Sequence, residues 1–221
     1  MILVTSSLTE TLDNINESLL FGEPISGEEG LQTARWIATR QGEQGSYRGM
    51  FAPTPNDFEE GIRLFTGERL VSASARHIMG QEAARALWLL GSQENALREV
   101  YEQATQWMQD DATFRQSGRY CCGRCTLAYW RHYWVGDFPD KERFINLGLH
   151  EMQSRRIGDG RWQTYPFYYS IYTLVSLGLT AAREELSYAR PAIKRYLRHP
   201  GSDLFAKRRI RIFSQALAMI D

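Results

Sequence analysis

With 221 residues, 43% of them hydrophobic and 24% charged, the chain has the composition of a globular protein with enough apolar material for a real core, not of a disordered one. Its 26 basic residues are matched by 26 acidic ones, which excludes the cationic surplus of a dedicated nucleic-acid binder. No stretch approaches the roughly 18 uninterrupted apolar residues of a spanning helix, and the three cysteines, Cys121, Cys122 and Cys125, are too close together to staple distant segments, so a cytoplasmic protein without a membrane span is expected.

Apolar residues recur at helical spacing along the chain while alternating strand-type runs are scarce, so the fold class is all-α, in a single domain over 1–221. Ser26 followed by Glu29 forms a capping-box pattern at a helix start. A turn at Gly45-Ser46-Tyr47 leads into an insertion over 48–74, after which a helix over 76–90 ends at Gly91. Leu97, Val100, Tyr101, Ala104, Trp107 and Met108 share one face of the next helix. A second turn, Gly118-Arg119-Tyr120, precedes a helix over 121–135 that ends at Gly136. Pro139 suits the first turn of a helix running through Phe144, Leu149 and Met152. The third turn, Gly160-Arg161-Trp162, precedes a helix over 163–177 that ends at Gly178. Beyond it Pro191 kinks a helix or starts the next, His199-Pro200-Gly201-Ser202-Asp203 is a loop, and 204–220 carries Ile210, Phe213, Leu217 and Ile220 at helical spacing.

These signals form an internal repeat of helix, Gly-x-aromatic turn and helix. The closing glycines, Gly91, Gly136 and Gly178, are separated by 45 and 42 residues, the period of a helical hairpin. Each glycine is expected to close its helix in the left-handed conformation. Gln41 and Gln153 stand late in the helices that precede two of the turns. The segment 204–220 then reads as a degenerate fourth inner helix, as terminal repeats often are.

The pattern resembles the QW-type repeat of the terpenoid cyclase and protein prenyltransferase superfamily. Gly118-Arg119-Tyr120-Cys121-Cys122-Gly123-Arg124-Cys125 is similar to the turn and inner-helix start of prenyltransferase β subunits, and Asp159-Gly160-Arg161-Trp162 to their Asp-Gly-x-aromatic turn. The resemblance implies an α/α toroid-like array, here three clear hairpins plus the degenerate fourth, with an edge left for a second copy to cover. It also implies a prenyltransferase-like or terpenoid-cyclase-like protein that binds an isoprenoid or other elongated apolar small molecule at the N-terminal end of the inner helices. The alternative is a non-catalytic repeat scaffold that takes a protein partner on its concave face. The first reading leaves turnover open, because the Asp-x-Asp-Asp acid of the squalene-cyclase type is absent and Arg161 stands where the prenyltransferase zinc cysteine belongs.

Ligand-binding candidates follow from these readings: Arg76, His77, Tyr120, Arg124, Tyr165, Tyr168 and Tyr172 at the inner-helix starts, with Phe51 and Phe58 in the insertion. The insertion is expected to act as a lid, its Asp57, Glu59 and Glu60 either meeting a cation or a basic group or opening a short capped helix from Asn56. No cofactor and no metal are expected, since a closed zinc site wants four ligands; were a metal bound, Cys122, Cys125 and Asp159 would be its first ligands. The cysteine cluster reads as small packed residues at a helix start, with a redox dithiol as its alternative.

Overall fold

The computed structural model describes residues 1–71 and 73–221; Ser72, inside the expected insertion, lies outside the described residues. The helical periodicity is realised as α1 (Leu8–Phe21), α2 (Gly27–Ala38), α3 (Pro55–Glu60), α4 (Ala73–Gly91), α5 (Asn95–Thr105), α6 (Ala112–Ser117), α7 (Gly123–Val135), α8 (Lys141–Ser154), α9 (Phe167–Leu177), α10 (Thr180–Arg198) and α11 (Ala206–Ala218). Extended pairing among the described residues is limited to isolated bridges at Gln41 and Phe51, Arg63 and Arg69, and Arg156 and Trp162. The protein is therefore all-α. Among the described residues no helix is long and apolar enough to cross a membrane. Contacts divide the chain into two compact units: Met1–Arg63, Arg69–Asp111 and Val135–Phe138 form the first, and Leu64–Glu68, Ala112–Trp134 and Pro139–Asp221 the second.

In the first unit α4 is the central helix, packed by α1, α2 and α5. Every residue from Ile78 to Leu87 is buried, charged ones included, so α4 lacks the single apolar stripe of a surface helix. Its small residues Gly80, Ala83, Ala84 and Ala86 let the neighbours approach, and buried Arg85 is held by Asn16 Oδ1 at 3.1 Å. The Ser26 cap forms as expected, accepting from Glu29 N, but the Glu29 carboxylate turns away to accept from Ile2 N at 2.6 Å.

A single carboxylate fixes two helix starts in this unit. Asp57 is 3% exposed and accepts from Ser7 Oγ (2.6 Å), Leu8 N (3.0 Å) and Thr9 N (3.1 Å) at the start of α1. It also accepts from Thr54 N at 2.7 Å and, with the Thr54 hydroxyl accepting from Asp57 N, closes the capping box that begins α3. The short capped helix expected from Asn56 thus exists, one residue earlier, with Pro55 in its first turn.

In the second unit α9 packs against α10 and α11, and α8 against α6 and α10. The aromatic residues of α7 fill much of the core: Phe114 lies 4.4 Å from the Tyr129 ring and 4.7 Å from Tyr133, centroid to centroid, and Trp130 Nε1 donates to Gly118 O at 2.7 Å. The turn at 158–162 is bolted to α10. Glu185, 2% exposed, accepts from Arg156 Nη2 (2.7 Å), Arg156 Nε (3.2 Å) and Trp162 Nε1 (2.7 Å). Tyr188 accepts from Gly158 N and donates to Arg161 O.

Several local expectations need correction. Of Gly91, Gly136 and Gly178, only Gly178 closes its helix in the left-handed region, at φ 66°. Gly91 is the last helical residue of α4, and a Cβ there would sit 2.7 Å from Leu97 Cδ1; at Gly136 it would run into the Tyr101 hydroxyl and the Phe138 ring. Pro139 precedes α8 rather than entering it, the cap being Asp140 in the left-handed region. Pro191 lies within a continuous α10, and on α11 the buried face runs through Ala206, Arg209, Ile212, Phe213 and Ala216, leaving Ile210 exposed.

Candidate functional site

The start of α4 opens onto a cleft of about 630 Å³ in the first unit, within the range of small-molecule pockets. The sequence builds it from three local features. Gly45, at φ 96°, turns the chain after α2 and leaves room for the Phe58 ring 3.5 Å from where its Cβ would be. Gly61 ends α3 and sends the chain into the 62–71 segment, which supplies Ile62, Arg69, Leu70 and Val71 to the wall. The first five residues of α4 add Arg76 and His77.

The cleft combines apolar surface with fixed positive charge. The Arg76 guanidinium lies 5.7 Å from the centroid of the Phe58 ring, which is 43% exposed. The His77 and Tyr47 rings are 3.4 Å apart, centroid to centroid. Burial, reinforced by the charge of Arg48, lowers the His77 pKa below the usual histidine value, so the ring is neutral at pH 7. Arg48 itself sits over Trp107, its guanidinium 4.6 Å from that ring. Arg69 and Arg76 give the wall two guanidinium groups suited to an anionic head group, beside a floor suited to an apolar body.

Of the residues singled out from sequence, Arg76, His77 and Phe58 meet in this cleft. Phe51 is fully buried, and Asp57 is committed to the α1 and α3 starts, which leaves its oxygens serving backbone and hydroxyl donors instead of a cation. Glu59 and Glu60 are exposed, Glu60 accepting from Asn56 Nδ2. In the sequence Tyr47 is a turn aromatic and Arg69 falls within the 48–74 insertion; their convergence on the cleft depends on the path of 62–71, which no periodicity reports.

The other candidates belong to the second unit and are engaged there. Tyr120 stacks on Tyr129 at 4.9 Å. Buried Tyr165 donates to Glu151 Oε2 at 2.9 Å, and burial together with that carboxylate raises its pKa, keeping it a donor. Tyr168 packs beside Tyr196 and Phe213 with the Arg209 guanidinium 4.1 Å from its ring, and Tyr172 lies under the Arg131 guanidinium at 3.8 Å.

At the start of α7, Cys122 and Cys125 face each other with their sulfurs 3.5 Å apart. The hydrogen bond from the Cys125 thiol lowers the Cys122 pKa to about 5 against the opposing effect of burial, helped by the Cys125 and Arg124 amides and by the Arg124 charge. The same bond and burial push the Cys125 thiol up. Asp159 is exposed, accepts from Arg161 N at 3.0 Å, and does not converge with the two cysteines as a common ligand set. No family model matches the chain, and no curated protein or solved structure matches it either.

Proposed function

We propose that this chain binds an isoprenoid or other elongated apolar ligand carrying an anionic head group, as a prenyltransferase-like or terpenoid-cyclase-like member of the α/α toroid proteins. The observation that supports this reading is the cleft at the N-terminal end of α4, where Phe58, Ile62 and Leu70 offer an apolar surface and Arg69 and Arg76 offer cations. Apolar burial would supply most of the affinity, at about 25 cal/mol per Å² before the cost of ordering the ligand, and the guanidinium groups would orient the head.

The test is calorimetric titration with geranyl diphosphate, geraniol and inorganic diphosphate. Geranyl diphosphate is expected to bind at least tenfold more tightly than either fragment. Phe58→Ala and Arg76→Ala should each weaken it about tenfold, or ~1.4 kcal/mol, with unchanged far-UV circular dichroism. Equal binding of all three compounds, or indifference to both substitutions, would refute the reading. A second reading, a repeat scaffold with a protein partner, draws support from Phe58 and Val71, which are 43% and 61% exposed at the cleft. It is favoured if the chain ignores geranyl diphosphate yet Phe58→Ala abolishes capture of a specific protein.

A further inference from the structure

Three features of the second unit converge on the cysteines and are unused by the cleft of the first. Cys122 is the residue before α7, and its carbonyl accepts from Thr126 N at 2.9 Å, so it occupies the cap position. There the Arg124 and Cys125 amides point at its sulfur. Cys122 is exposed while Cys125, one turn on, is buried, so one sulfur meets an incoming molecule and the other is shielded behind it. The intervening Gly123 is enforced by close packing: a Cβ there would strike the carbonyl of Thr164, a β-branched residue at φ 70°, in the left-handed region such residues avoid. Strain of this kind persists where the surroundings over-determine it, and it often marks functional sites.

A recess of about 350 Å³ at the start of α7 is lined by Cys121, Cys122 and Gly123 together with Arg119, Arg155 and Thr164. Arg119 and Arg155 share one carboxylate, Glu151, and Arg124 adds a third guanidinium beside the sulfur. The recess is therefore net positive.

We propose that Cys122 and Cys125 are a two-electron dithiol–disulfide couple that reduces small disulfides bearing carboxylates, with Cys122 attacking and Cys125 resolving. The Cys122 thiolate attacks one sulfur of the substrate disulfide. That S–S bond breaks, the first substrate thiolate leaves and takes a proton from water, and a mixed disulfide joins Cys122 to the second half. Cys125 then gives its proton to solvent, and its thiolate attacks Cys122 Sγ, expelling the second substrate thiolate, which is protonated in turn. One substrate disulfide becomes two thiols, and two protein thiols become one disulfide. The present 3.5 Å separation must shorten to about 2.05 Å, a change within reach of side-chain rotation. The arginine surplus selects carboxylate-bearing substrates over neutral ones.

The experiment treats the reduced full-length chain with oxidised glutathione, which carries carboxylates, and in parallel with the neutral hydroxyethyl disulfide. Released thiol is counted and the protein mapped by tandem mass spectrometry. The expected result is two thiols released per chain, an internal Cys122–Cys125 disulfide, and a rate at least fivefold higher with oxidised glutathione. Cys125→Ser should accumulate one glutathione on Cys122, Cys122→Ser should lose both products, and Cys121→Ser should retain both. Should Cys122→Ser fail to fold, iodoacetamide labelling of the wild-type chain at pH 6 decides the same point, Cys122 being labelled at least tenfold faster than Cys121. A mixed disulfide on Cys121, a Cys121–Cys125 bridge, persistent free thiols, or stoichiometric zinc on the pair in protein purified without added metal would each overturn the couple. Equal rates with the two disulfides would overturn the carboxylate preference.

Discussion

Replacing Glu185 tests the bolt between the 158–162 turn and α10. The carboxylate is 2% exposed and receives two bonds from Arg156 and one from the Trp162 indole. Glu185→Gln keeps the shape but removes the charge, leaving the Arg156 guanidinium without its counter-ion. Breaking a buried pair on one side costs about 3–5 kcal/mol, but the Arg156 side chain keeps 28% of its exposure, so solvent recovers part of this and about 2 kcal/mol is expected. Glu185→Ala also strands the indole N–H, adding about 1–2 kcal/mol. In Arg156→Met with Glu185→Gln the bare charge disappears, so the double variant should lose at least about 1 kcal/mol less than the two singles summed. Urea unfolding followed by far-UV circular dichroism measures the wild type, the three single variants and the double variant. A loss below about 0.5 kcal/mol for Glu185→Gln, or strict additivity, would show that the pair does not hold the turn.

Two further outcomes follow from the first unit. Asp57→Ala removes the acceptor for donors at two helix starts and should cost about 3 kcal/mol or more in the same assay, whereas Glu59→Ala and Glu60→Ala should stay within about 0.5 kcal/mol; equal effects would contradict the capping role. For His77 the folded pKa lies below its ordinary value of 6.5, so the unfolded chain takes up the proton first as pH falls. The stability owed to the neutral ring is complete above pH 6.5 and is lost as the pH drops from there toward the folded value. The nuclear magnetic resonance titration of His77 should therefore have its midpoint below 6.5, and the wild-type chain should lose more stability between pH 7 and 5.5 than His77→Gln; a midpoint at or above 6.5 would refute this.

The all-helical class was legible because burial imposes the 3.6-residue period on whole segments, as at Leu97, Tyr101 and Ala104 on α5. The caps at Ser26 and near Asn56 were legible because capping is local. Pairing across long sequence separations was not. Gly91 and Gly136 looked like helix stops, yet they are close-approach glycines whose partners, Leu97, Tyr101 and Phe138, follow or precede in the chain at no fixed spacing. The repeat places Gln153 late in the helix before the third turn, yet Gln153 is exposed, and Glu185 from the following helix holds the turn's Trp162. Arg76, His77 and Phe58 were legible as site residues, but Tyr47 and Arg69 became their neighbours only through the path of the irregular 62–71 segment. The C-x-x-C spacing was visible, whereas the unequal exposure of its two sulfurs and the strained Thr164 beside them needed coordinates.

The Asp57 carboxylate also has a consequence for the order in which the chain acquires structure. Its partners Ser7, Leu8 and Thr9 lie 48 to 50 residues upstream. During synthesis, which runs from the N-terminus, the α1 segment exists well before the acceptor that orders its first turn. Until Asp57 emerges, those amides must bond to water, and an isolated helix of 14 residues is marginal under such conditions. The capping box at Thr54 is local, its two residues being three apart, so the acceptor that orders the first turn of α1 is presented by the start of α3. A nascent chain ending shortly before residue 57 would thus present the apolar face of α1, Leu8, Leu12 and Ile15, to chaperones, and one extended a few residues further would begin to hide it.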